Sequence, residues 1–150
     1  MSLKDTDCNQ SERQAWMAVL ARTPADRIRL LLEDLPEQAS YSMPRPVETG
    51  LAMVRGRVSA NGEPFNLGET TITRCVVQLD DNTTGIAYVT GRDKKQAELA
   101  ALADALLQNQ TLPLSRLEPL EKAIQDKRQK RAEEVASTKV DFFTLVRGED

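Results

Sequence analysis

Histidine is absent from all 150 residues. That absence removes the commonest general base, the commonest zinc ligand and every Ser-His or Cys-His nucleophile pair. Any chemistry on the chain would fall to carboxylates, Lys, Arg, Tyr or Cys. Aromatic residues are only 4% of the sequence against 40% hydrophobic residues in all. A core of Leu, Ala and Val buries less area per residue than one built with large rings, so a partner is expected to complete part of the apolar surface. The two cysteines, Cys8 and Cys75, make neither a disulfide framework nor a metal spacing. There is no excess of cations either: 20 Lys and Arg stand against 23 Asp and Glu, a net charge of -3. This balance leaves no footprint for nucleic acid or an anionic membrane. No apolar run approaches the roughly 18 to 20 residues of a membrane span, and Met1-Ser2-Leu3-Lys4-Asp5-Thr6-Asp7 lacks the apolar core of a signal. A cytoplasmic protein is expected.

What is present reads as one α+β domain over residues 1–150. Ser11 with Gln14 has capping-box spacing and opens a first helix to about Arg22, with Trp16, Val19 and Leu20 on one face. Residues 1–10 ahead of it are expected to be mobile. Thr23-Pro24 reads as an N-cap followed by proline at the first helical position, and Ile28, Leu31, Leu32 and Leu35 carry a second helix to Pro36. Pro44 and Pro46 forbid helix and favour an extended edge or linker into the sheet. Strands are expected over Leu51–Val58, Thr71–Leu79 and Thr84–Thr90, forming a small, mainly antiparallel sheet. Asp80-Asp81-Asn82 makes the last two a hairpin. Between the first two, Asn61-Gly62, Pro64 and Leu67-Gly68 predict a loop that bends twice, the place where function would sit. Asp93 and Gln96 cap a further helix whose Leu99, Leu102 and Leu106 stripe, flanked by Ala103 and Leu107, should cover the sheet.

The remainder, residues 109–150, reads as an arm and tail that contact a partner. Ser115 and Glu118 begin a long polar helix whose apolar residues are only Leu117, Leu120, Ile124 and Val135. After it, Val140-Asp141-Phe142-Phe143-Thr144-Leu145-Val146 is strongly β-prone. Exposed, such a segment would invite aggregation unless paired with something.

Three groups of residues could carry binding or chemistry. Arg92, Lys94 and Lys95 surround a strand-to-helix turn where free N–H groups and the helix dipole favour an anion; the plain reading is that Asp93 caps the helix and the cations are solvated. Arg55 and Arg57 share one strand face and, with Arg74, would suit a polyanion, a solvated face or an interface; Glu48 and Glu69 are near enough in sequence to pair with them. Neither glutamate has the spacing of a catalytic pair. Cys75, mid-strand and with Arg74 on the opposite face, reads as a small buried hydrophobe.

Several segments in order carry a resemblance: Trp16-Met17-Ala18-Val19-Leu20-Ala21, Arg45-Pro46-Val47-Glu48-Thr49-Gly50-Leu51-Ala52-Met53-Val54-Arg55-Gly56-Arg57, Phe65-Asn66-Leu67-Gly68-Glu69, Thr73-Arg74-Cys75, Gly91-Arg92-Asp93, and Val140 to Gly148. Together they resemble the PhnG subunit family of the bacterial carbon-phosphorus lyase core complex. The resemblance implies a non-catalytic subunit, without a cofactor of its own. It would act with PhnH, PhnI and PhnL in moving ribose triphosphate from the substrate ATP onto methylphosphonate, with adenine released, and would sit in a core with PhnH, PhnI and the radical lyase PhnJ. No catalytic residue and no metal ligand is carried onto this chain. Phe65, Asn66, Glu69, Phe142, Phe143, Leu145 and Val146 are expected at partner interfaces. The alternative is an independent small-anion or nucleotide-binding module built on Arg92, Lys94 and Lys95.

Overall fold

A computed structural model describes residues 3–33, 35, 40–58 and 61–138, with the backbone alone for 3–9. The elements in chain order are α1 (Leu3–Leu20), α2 (Ala25–Glu33), β1 (Tyr41–Arg57), β2 (Pro64–Leu79), β3 (Thr84–Thr90), α3 (Lys94–Gln108), a 3-10 turn (Leu114–Leu117) and α4 (Glu118–Ser137). The α+β class and a small antiparallel sheet are as expected, and the strand order is β1-β2-β3. Phe142, Phe143, Leu145 and Val146 lie outside the described residues.

Alternation along the strands decides which sheet face is covered. Thr73, Cys75, Val77 and Leu79 of β2 are buried, as are Gly85, Ala87 and Val89 of β3. The register sets Thr73 opposite Val89, Cys75 opposite Ala87 and Val77 opposite Gly85, so these residues share one face. Helix α3 packs on that face, and α1 and α2 pack on α3. Fully enclosed side chains such as Leu20, Ile28, Val77, Val89 and Leu112 supply the apolar burial, roughly 1.5–3 kcal/mol each.

The surface of α3 that meets the sheet differs from the leucine stripe read in the sequence. Ala97, Ala100, Ala101 and Ala105 are buried, whereas Leu99 and Leu102 are half-buried and only Leu106 and Leu107 are enclosed. A face of methyl groups lets the helix approach the strands closely, and buried Gly85 marks the closest point, against Ala101 and Ala105. Leu99, Leu102 and Leu106 instead line a groove of about 680 Å³ with Leu32, Leu35 and Tyr41.

The helix ends also need correction. Helix α1 begins at Leu3, which leaves Ser11 in its interior rather than at a cap. Thr23 does not cap α2: its hydroxyl donates to the Val19 carbonyl at 2.8 Å and closes α1, while the Pro24 carbonyl accepts the first α2 bonds, from Arg27 and Ile28. Asp93 is the N-cap of α3, its carboxylate accepting from the Gln96 N–H at 2.9 Å. The Gln96 side chain turns away and donates to the carbonyls of Ala21 and Thr23, which ties α3 to the α1–α2 corner.

The largest departure is between β1 and β2. Both strands run well past β3, and the predicted loop Phe65 to Glu69 is strand, with Phe65 opposite Gly56, Asn66 opposite Arg55 and Glu69 opposite Met53. Pro64 opens β2, where a strand tolerates proline, and among the described glycines only Gly91 has a positive φ, at +100°. Pro44 and Pro46 fall within β1, an edge strand, at the register shifts between Ser42 and Glu48. On an open edge the missing N–H breaks no ladder. Helix α4 has no buried residue, in keeping with a polar arm.

Candidate functional site

The basic turn lies where β3 runs into α3. Gly91 takes its positive φ there and its N–H donates to the Thr71 carbonyl at 2.8 Å, while its carbonyl accepts from the buried Thr73 hydroxyl at 2.7 Å. The bend is thereby fixed from both sides, and Arg92, Lys94 and Lys95 are exposed on it. The anion-favouring position is occupied: Asp93 caps the helix and its own carboxylate faces the dipole. Lys95 reaches Glu98 at 3.5 Å, leaving Arg92 and Lys94 with no ion pair among the described residues.

Arg55 and Arg57 form a separate group. Gly91 is bonded to Thr71, which pairs with Leu51, so Arg55 lies four residues farther out on β1 and Arg57 six, roughly 13 and 20 Å along the strand. The two predicted cation groups do not converge on one small anion. Phe65, Asn66 and Glu69 accompany Arg55 and Arg57 on the same exposed β1–β2 ribbon. Arg74 belongs to neither group, since its guanidinium donates to Glu48 at 2.8 Å and Arg45 approaches the same oxygen at 3.4 Å. The pairing of Glu48 with Arg74 agrees with the sequence reading and takes Glu48 out of consideration as a free base. Cys75 is fully buried, and burial pushes its thiol up from the ordinary value. Among the described residues, no three His, Cys, Asp or Glu side chains are grouped to hold a metal ion, and no helix is long and apolar enough to cross a membrane.

Sequence reasoning missed Asp104. It is fully buried in the alanine face of α3 and gathers donors from three elements. Arg13 reaches it at 2.8 Å, Trp16 Nε1–H at 2.8 Å, the Ile86 N–H at 2.9 Å and the Gln108 amide at 3.2 Å. The available signal was Arg13 and Trp16 one helical turn apart, together with a carboxylate set among the alanines and leucines of 99–107. Every buried side-chain oxygen and nitrogen among the described residues has a partner, so this is a satisfied structural network rather than a poised acid.

Tyr41 lines the groove that Leu99, Leu102 and Leu106 border and donates to Glu98 Oε1 at 2.7 Å. Burial, and then the bond to and repulsion from Glu98, push the phenol up to about 12 from 10.0. Because the folded value lies above the unfolded one, this contribution is complete below pH 10 and fades as pH rises towards about 12. The stability difference between wild type and Tyr41→Phe, about 1 kcal/mol at pH 8, is therefore expected to close by pH 12 in urea titrations. A difference that stays constant over that range would contradict the assignment.

The fold and these clusters define a small α+β chain whose Glu48, Asp93 and Asp104 carboxylates are engaged in structure and whose exposed features are a β ribbon, a basic turn and a polar helical arm. Residues 11–148 match the family described as phosphonate metabolism protein PhnG. The chain is also 39% identical, over 150 positions covering 96% of it and 94% of the relative, to the alpha-D-ribose 1-methylphosphonate 5-triphosphate synthase subunit PhnG of Rhizobium meliloti (strain 1021). The chain belongs to the PhnG family.

Proposed function

We propose that the chain is a non-catalytic subunit of a carbon-phosphorus lyase core complex in the cytoplasm. There it works with PhnH, PhnI and PhnL to transfer ribose triphosphate from ATP to methylphosphonate with release of adenine, in an assembly that also holds PhnJ. The observation that carries this reading is the identity, over nearly the whole of both chains, to a protein named as a subunit of that synthase. The chemistry of this chain supports it: there is no histidine, Glu48 is held by two arginines, and Asp104 is locked in a buried network. Its contribution is then to shape and bind the other subunits. Binding of a small anion by the chain alone is disfavoured because the Asp93 carboxylate holds the helix terminus and the arginine groups are apart.

Co-expression with the neighbouring subunits, followed by sizing and an adenine-release assay, tests the reading. The assembled species is expected to release adenine from ATP in the presence of methylphosphonate, and the purified chain alone to release none. Adenine release by the chain alone, or failure to co-purify, would overturn it. A triple change of Arg92, Lys94 and Lys95 to Ala should leave the isolated chain within about 0.5 kcal/mol of wild type, since all three are exposed. In the complex the same change is expected to lower assembly or turnover, measured separately. If neither moves, the turn is simply solvated.

A further inference from the structure

Strand β3 pairs with β2 only from Ile72 to Gln78, so the β1–β2 ribbon from Leu51 opposite Thr71 to Arg57 opposite Pro64 has no third strand. Two strands alone are marginal in water. Of the eleven exposed large hydrophobic residues among those described, six lie on this ribbon or its connection: Leu51, Met53, Val54, Val58, Phe65 and Leu67. Scattered exposed aliphatics mean little, but a concentration of this kind marks an interaction surface.

Alternation places them on both faces. Thr49 stands opposite buried Thr73, their hydroxyls 3.2 Å apart, so Leu51 and Met53 continue the helix-covered face beyond the helix. Val54 lies on the opposite face, as does Phe65 opposite Gly56. Arg55 and Arg57 have neutral cross-strand neighbours, Asn66 and Pro64, and no ion pair among the described residues. An arm that is apolar on both faces and carries two uncompensated guanidiniums fits a cleft, not a flat surface.

We propose that this ribbon inserts into a cleft on a different subunit, with aliphatic walls gripping its two faces and carboxylates meeting Arg55 and Arg57. The proposal rests on reading the chain as a subunit of an assembly. A second copy fits poorly: the groove between α2 and α3, lined by leucines and by charged side chains of both signs such as Arg29, Glu33, Asp81 and Lys95, has about 680 Å³ and suits a drug-sized molecule rather than two strands. Head-to-tail insertion of that kind would also propagate into filaments unless it closed a ring.

Hydrogen exchange of the full chain, alone and in the co-purified complex, tests it. Amides of 51–57 and 65–71 are expected to exchange at least about tenfold more slowly in the complex. Leu51→Ser with Met53→Ser, and separately Arg55→Glu with Arg57→Glu, should each lower recovery of the complex about tenfold or more while the isolated chain melts as wild type. A complex recovered with unchanged ribbon exchange overturns the inference and leaves the functional reading standing. Protection in the chain alone overturns it too, in favour of a second copy if it rises with concentration, or of the chain's own 139–150 if it is lost on their deletion. If wild type recovers no complex, the functional reading falls and the inference falls with it.

Discussion

Asp104→Ala is expected to destabilise the protein by about 3–5 kcal/mol, the range for removing one member of a buried, hydrogen-bonded charge pair. The carboxylate is fully enclosed, whereas the Arg13 side chain is 31% exposed. Without Asp104, water can still solvate part of the guanidinium. It cannot as readily reach Trp16 Nε1–H, which lies in the core with a residue only 6% exposed, or replace the bond made by the Ile86 N–H. Those stranded donors, more than the lost volume, set the cost. Asp104→Asn separates the two effects, because it keeps the volume and one acceptor but turns an amide NH2 towards other donors. It is expected to lose most of the same stability. For a domain whose whole stability is about 5–15 kcal/mol, either change should move the denaturant midpoint far. Trp16 is the chain's only tryptophan, so its fluorescence reports both unfolding and loss of the native bond. An Asp104→Ala protein within about 1 kcal/mol of wild type would sink the view that this network joins α1, α3 and β3.

The network also shows where reading a sequence stops. Residues whose structure is set by near neighbours were legible: β3 runs from Thr84 to Thr90 as predicted, Asn82 takes a positive φ in the expected reversal, and Asp93 caps α3. Cys75 was legible because a small apolar residue in mid-strand needs only one covered face. The ribbon was not. Pro64 and Gly68 are turn residues by local propensity, and only pairing with β1, from Met53 to Arg57, makes 64–69 a strand. That pairing is non-local, and tertiary context overrides local preference. The same holds for α3. Ranking residues by size selects its leucines, yet the alanines meet the sheet because a glycine on the facing strand lets the helix come close. Of the candidate site residues, the sequence placed Arg92, Lys94 and Lys95 correctly at a helix terminus, but could not show that Arg55 and Arg57 stand apart from them along a strand.

Gly85→Ala tests that close approach, and the expected effect is large. A methyl group built on Gly85 would collide with the Ala101 carbonyl oxygen and come within 2.7 Å of the Ala105 N and 2.9 Å of its Cβ. Two of these three atoms are helix backbone, so no side-chain rotation can relieve the contact. Either α3 lifts from β3 or β3 shifts in the sheet. Lifting would also part Ala97, Ala100 and Ala105, all enclosed, from the strands and loosen the core they share with Val77, Ala87 and Val89. Overpacking in a dense interior costs about 1–3 kcal/mol, and a clash with backbone belongs at or above the top of that range. At about 2–4 °C per kcal/mol for a chain of this size, the melting temperature should fall by roughly 6–12 °C. Gly50→Ala and Gly68→Ala are the controls, because a methyl group at either position meets nothing within 4 Å and neither residue has a positive φ. There the lost freedom of the unfolded chain should leave stability unchanged or raise it by up to about 1 kcal/mol. If Gly85→Ala melts with the controls, α3 does not rest on β3 through its alanine face, and the packing that positions both the basic turn and the base of the ribbon must be redrawn.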